Sequence, residues 1–402
     1  MKRKCIILAV AVIVLMCVML TCGLALEFGS EANMVVLNTS GQNSCPYGNP
    51  ALWGDKLIAP WLDIPADIFY ASIVATDGTL STLSAMTTVS PHTDSGYDII
   101  CYLGLSNGNL LVYWYSDISN DGLTDAYFKI IDTSGSQVVA ATKINSDAGE
   151  LNRYVQAVEL SDGKLAFVWA TSGANYALRR FTISGSAATA FDAAQISITD
   201  LAGLTGTSQY THEISATTGS LMIAFACSDS ATNYSYRGMV FNNDSATPTQ
   251  VEGSNFFIIS ERYEVDNNIY LRTLSNGDFL AVYQKRTASG TDTSTRSIAF
   301  RVYSPSGSPR AAETVYALVY SWGSINEPLI VDGGFILPYF YLDVSTEPDT
   351  YEQHLKYFAN TDYAGASPTD YDSKLTDAGL TYDTIYDAYL DVNDSIAFFV
   401  KI

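Results

Sequence analysis

From residue 26 onward, short apolar runs alternate with clusters of Gly, Asn, Asp and Ser, and no long stretch carries a 3.6-residue apolar period. Period-two alternation between turn residues predicts strands, not helices. One phrase recurs: a strand, a tight turn, then an apolar strand holding an aromatic. It occupies 105–114, 160–169 and 274–283, with looser copies at 54–61, 218–225, 332–339 and 393–399. Asn107-Gly108, Asp162-Gly163 and Asn276-Gly277 supply the positive-φ residues that a two-residue hairpin loop needs. The turn positions Gly54, Gly108, Gly163, Gly219, Gly277, Gly333 and Asp394 are separated by 54, 55, 56, 58, 56 and 61 residues. A second aromatic strand follows about two dozen residues after each turn, at 69–78, 127–135, 178–185, 239–244 and 300–307. A further β-type run, such as 137–144, leads into the next unit. Each unit therefore reads as four antiparallel strands, a to d.

One such unit cannot bury both its faces, whereas neighbours stacked around an axis bury each other. The expectation is an all-β, seven-bladed β-propeller forming a single domain over 26–402, with six blades as the alternative. The seventh unit holds only strands a and b before the chain stops, and residues 34–37 are expected to add a strand that closes the ring. Closure also hides sheet edges.

Lys2, Arg3 and Lys4 precede an apolar run over 5–20, and Gly23 and Ala25 are small. This is the pattern of a signal peptide over 1–25 cleaved after Ala25, or of an uncleaved membrane anchor. Either exports the body, so the expected location is secreted or cell surface, touching membrane only through this segment. Three cysteines remain: Cys45, Cys101 and Cys227. Cys101 and Cys227 sit in apolar strands and read as buried free thiols, with Cys45–Cys101 the one pairing worth considering. The sequons at Asn38, Asn233, Asn243 and Asn393 mark surface loops if the chain is glycosylated.

The 402 residues carry 21 basic and 42 acidic groups, a formal charge of −21. With no basic run after Lys4, nucleic acid is excluded as a partner, since phosphate contacts need clustered Lys and Arg. The stretch 343–391 is acidic and Tyr-rich and reads as strands with solvated Asp faces.

Two sets of residues could carry chemistry. Between strands b and c of the second unit, Asp117, Ser119, Asp121, Leu123 and Asp125 alternate around Gly122. Oxygens at odd positions of a tight loop converge on one point, as a hard cation requires. Asp117, Ser119, Asp121 and Asp125 would give side chains, Leu123 its carbonyl, and the expected cofactor is one structural calcium ion. The second set lies seven residues before each turn, on strand a, the innermost strand of a blade: Cys101, Gln156, His212, Tyr270, Asn326 and Asp387. The preceding column is mostly apolar, so alternation would aim the polar set to one side. Gln156, His212, Tyr270, Asn326 and Asp387 are the expected ligand-binding residues.

The calcium loop and the Gly-turn-aromatic repeat resemble secreted bacterial-type propeller repeats and, more loosely, the integrin-like (FG-GAP) calcium-binding blades. The resemblance implies a propeller scaffold with a loop-bound calcium. No Gly-x-Ser-x-Gly elbow or recognisable nucleophile motif occurs, so no catalytic residue is assigned. Glu159, Glu213 and Glu327 lie on inner strands, but among 42 acidic residues such placements are expected by chance. The expected function is a monomeric, exported, non-catalytic binding or adhesion propeller recognising a glycan, peptide or protein surface. The alternatives are a glycan-cleaving hydrolase with carboxylates at the channel mouth, for which two converging carboxyl groups are the mark, and a structural cell-surface protein.

Overall fold

The computed structural model describes residues 10–11, 44–46, 51–54, 56–63, 68–75, 80–82, 100–117, 123–147, 152–172, 175–201, 211–230, 233–251, 253–260, 269–286, 296–317, 323–325, 327–331, 334–343, 350–359, 372–374, 384–390 and 396–401. These residues form seven antiparallel sheets, and their one α-helix is the single turn Ile198–Leu201. The fold is of the β-propeller class. The chain divides into two compact units, one of Met1–Lys143 with Thr376–Ile402 and one of Ile144–Leu375.

In the second unit the inner strands Arg153–Glu159, His212–Thr217 and Ile269–Thr273 each begin a meander. Their partners Leu165–Thr171, Ser220–Ser230 and Phe279–Arg286 are the apolar runs of the repeated phrase. All seven residues of Leu165–Thr171 are buried. The run is apolar without alternation because both faces are covered. Period two then sorts these side chains between neighbours. Ala166, Val168 and Ala170 meet Leu221, Ile223, Phe225 and Cys227 of the next sheet. The opposite face of that sheet, Met222, Ala224 and Ala226, meets Phe279, Ala281 and Tyr283. Leu280 and Val282 in turn pack on Phe335, Leu337 and Tyr339. At ~1.5–3 kcal/mol per fully buried large aliphatic or aromatic side chain, this sheet-on-sheet burial is the main stabilising term.

A buried ion pair staples two of these sheets. Arg180, fully buried, donates through Nε and Nη2 to Asp192 and through Nη1 to the carbonyls of Asn242 and Asn243.

In the first unit Trp53 and Ile58 pack on Ile100, Tyr102, Leu110, Val112 and Trp114. Trp53 also donates its indole N–H to the Gly108 carbonyl at 2.7 Å. A Cβ at Gly104 would lie 2.1 Å from the Leu52 carbonyl oxygen, so only glycine allows this approach. In the terminal sheet, Ile396–Lys401 pairs with Thr384–Leu390 and with Val10–Ala11. The N-terminal strand there is Val10–Ala11, inside the segment read as a leader, while the expected closing strand at 34–37 lies outside the described residues. Cys101 and Cys227 are buried, and neither is in a disulfide. The Cys45–Cys101 pairing is therefore not formed.

Candidate active site

The turns decide which inner-strand residues share a face. At Gly108, Gly163 and Gly277 the loop is three residues long, not two. The leucine before it (Leu105, Leu160, Leu274) donates its N–H to the residue after the glycine and accepts one from the glycine itself. That is a type I turn closed by a left-handed glycine, with φ between 79° and 83°. At Gly219 the loop has two residues, because Thr217 pairs directly with Ser220. The same holds for Val331 with Gly334. Counting back from the glycine therefore slips by one residue between the two classes, and one residue flips a side chain to the other face.

Packing shows the slip. Leu271, six residues before Gly277, faces the preceding sheet, as does Ile214, five residues before Gly219. The counterpart of Gln156 and Tyr270 is thus Glu213, and His212 points the other way. His212 is buried, with its ring 5.3 Å from that of Tyr176. By the same turn count Glu327, not Asn326, is the equivalent position beside Gly333. Asn326 itself lies outside the described residues. Asp387 sits in Thr384–Leu390 and Cys101 is buried in Ile100–Gly104. Gln156 is half-buried, and Tyr270 donates its hydroxyl to the Ile325 carbonyl at 3.2 Å.

What the structure brings together instead is Glu213, Arg272 and Glu327, from three successive sheets of the second unit. Arg272 donates through Nη1 to Glu213 Oε2 at 3.2 Å, and through Nε and Nη2 to Glu327 Oε1. The side chains are 13%, 23% and 24% exposed for Glu213, Arg272 and Glu327, so the cluster is largely screened yet still reached by solvent. Ser215 and Thr273 hydrogen-bond each other at 2.8 Å, further along the same two strands. Burial pushes the Glu213 carboxyl up to about 7. The Arg272 cation opposes the shift and the Glu327 charge adds to it. For Arg272, burial works against the cation, but Glu327 and Glu213 outweigh it and hold its pKa above the usual range. Glu159 lies at the turn end of its own strand, opposite Leu165.

Of the loop read as a calcium site, Ser119 and Asp121 lie outside the described residues. Asp125 is ion-paired through Oδ1 with Lys143 at 2.7 Å and accepts a hydrogen bond from the Tyr127 hydroxyl on Oδ2 at 3.3 Å. Both its oxygens are engaged, so a cation there would have to displace Lys143. Among the described residues no group of three or more His, Cys, Asp or Glu is placed to hold a metal.

Fold and site together define an all-β propeller with two carboxylates converging on one guanidinium. No protein-family model matches the chain, and no curated protein matches it in sequence. Among solved structures it is similar to the polysaccharide lyase Uly1, with 9% identity, 89% of this chain and 86% of that chain covered, and a TM-score of 0.52. It also matches an alpha-L-arabinanase from Penicillium chrysogenum complexed with arabinobiose, at 11% identity, 62% and 77% coverage and a TM-score of 0.43. An alpha-L-arabinofuranosidase from Clostridium thermocellum matches at 12% identity, 70% and 96% coverage and a TM-score of 0.37. The expectation of a non-catalytic binding or adhesion propeller is corrected here. One solved structure similar across most of both chains, Uly1, is named a polysaccharide lyase. Two of the three carboxylates set aside as chance placements, Glu213 and Glu327, converge on Arg272.

Proposed function

We propose that the protein is a glycan-cleaving hydrolase in which Glu213 is the general acid and Glu327 the second carboxylate. The observation that carries this reading is the meeting at Arg272 of both groups, one from each of the sheets that flank its own. Glycoside hydrolysis needs two carboxyl groups flanking the scissile bond, one protonated and one ionised. Glu213 retains its proton to about pH 7, which suits a donor to the departing glycosidic oxygen. Its proton passes to that oxygen as the C–O bond breaks. Glu327, gripped by the Arg272 fork, acts from the other side: as base it takes a proton from the water whose oxygen bonds the anomeric carbon, or as nucleophile it forms a glycosyl ester that water then hydrolyses. Arg272 is a positioning residue for both. A chain with 42 acidic and 21 basic groups repels polyuronates, which favours hydrolysis of an uncharged glycan over β-elimination from an acidic one. The basic-then-apolar N-terminal segment supports placing this activity outside the cytosol.

The test is incubation of the purified chain with arabinan, galactan and polygalacturonate, following new reducing ends and, separately, unsaturated uronate. Expected is reducing-end release without unsaturation, falling by roughly 10²–10⁴-fold in Glu213→Gln. Release that is unaffected by Glu213→Gln, or no release from any of the three, would refute the assignment.

A further inference from the structure

Tyr154 is the one non-glycine residue with positive φ among the described residues, at 54°. A left-handed conformation crowds the Cβ of an L-residue against its own carbonyl, and such strain concentrates at ligand clamps and active sites. The cause is local. On the inner strand Arg153–Glu159 the register jumps between Arg153, opposite Ala170, and Gln156, opposite Val168. Tyr154 and Val155 together face the single Trp169, a β-bulge, and bulges re-aim a side chain next to active sites. The bulge is pinned from below, since Trp169 is fully buried and donates its indole N–H to Asn152 at 2.8 Å. The flanking residues are held in as well, Asn152 and Val155 both being buried. Tyr154 alone is turned outward, 40% exposed.

Its position matters. Gln156 is the counterpart of Glu213 on the adjacent inner strand, so Tyr154 lies two residues toward the entry end of its strand. Glu213 is the second residue of its own strand, at the same end. Packed sheets are ~10 Å apart, within the span of a disaccharide. A tyrosine ring offers a rigid apolar face at low entropic cost, and the C–H face of a sugar ring is its complement.

We propose that Tyr154 is the aromatic platform on which a sugar ring of the substrate is seated beside Glu213. This rests on the glycan-cleaving reading, and the experiment separates the two. Retention of the full chain on native gels cast with arabinan, galactan or polygalacturonate is compared for a Glu213→Gln parent, which prevents turnover, and for that parent with Tyr154→Phe or Tyr154→Asn added. Asparagine tolerates the left-handed conformation, so the expected melting temperature of Tyr154→Asn is equal to or above that of its parent. Its retention is expected to weaken about tenfold, while Tyr154→Phe keeps both properties. A melting temperature several degrees lower in Tyr154→Asn would make the side chain structural and overturn the proposal. Undiminished retention in that variant would overturn it equally. Retention of the parent together with no cleavage by wild type would sink the hydrolase reading and leave the platform standing. No retention of the parent on any gel would overturn both.

Discussion

The sharpest prediction concerns the proton on Glu213. Its carboxyl titrates near 4.5 when unfolded and at about 7 in the fold. The folded state therefore binds this proton more tightly. The group's contribution to stability is fully present below about pH 4.5, is lost as pH rises, and is gone above about 7. At about 1.4 kcal/mol per pKa unit, the loss amounts to ~3 kcal/mol between those limits. Glu213→Gln keeps the shape and cannot ionise, while Arg272 retains its fork on Glu327. The difference in stability, variant minus wild type, should therefore rise by ~3 kcal/mol from about pH 4 to about pH 8. Urea unfolding of both proteins at several pH values measures it as diverging midpoints at a common slope. Comparing the pair cancels the carboxylates that are not coupled to Glu213, which leaves Glu327 as the one neighbour whose charge enters the shift. Midpoints that stay parallel across this range would show that Glu213 does not hold a proton near neutrality, and the general-acid assignment would fall with it.

Asp192→Ala leaves the fully buried Arg180 without its carboxylate and should cost ~3–5 kcal/mol; chemical denaturation checks it, and a loss under 1 kcal/mol would mean water reaches the guanidinium. Gly104→Ala, which sets a Cβ 2.1 Å from the Leu52 carbonyl, should destabilise the first unit by ~1–3 kcal/mol, whereas a thermal melt identical to wild type would contradict that close approach. Gly163→Ala keeps open space around its Cβ but strains a φ of 79°, so only ~1 kcal/mol is expected, a contrast that tests crowding against conformation in one pair of melts. Lys143 holds Asp125 Oδ1, so if Asp125 ligates calcium, Lys143→Ala should enlarge the calcium-dependent rise in melting temperature; equal shifts in the two proteins would remove Asp125 from the ligand set.

The propeller class was legible in the residues because its causes are local. Apolar runs such as 165–171 must be covered on both faces, and Asn107-Gly108 or Asp162-Gly163 can do little except turn the chain. Repeating that unit every 54 to 61 residues leaves stacked sheets as the solution. The site was not legible in the same way. Leu274-Ser275-Asn276-Gly277 and Ala216-Thr217-Thr218-Gly219 look like copies, yet one closes three residues and the other two. A signal was present: Ala216-Thr217-Thr218 stands where the other copies have Leu-Ser-Asn or Leu-Ser-Asp, so the leucine that closes the three-residue loop is missing, and closing the hairpin at Thr217 instead puts Glu213 level with Gln156 and Tyr270. Arg272 left no such trace, since its reach to carboxylates of both flanking sheets depends on how sheets pack, not on spacing along any one of them.

What the sequence by itself determined is the set of strands and the faces they must bury, because side-chain alternation and turn chemistry act over a few residues. What only the tertiary structure decided is which polar residues meet. Glu213 and Glu327 are more than a hundred positions apart in the chain, and a single-residue difference in loop closure, invisible in composition or period, selects them over His212 and Asn326.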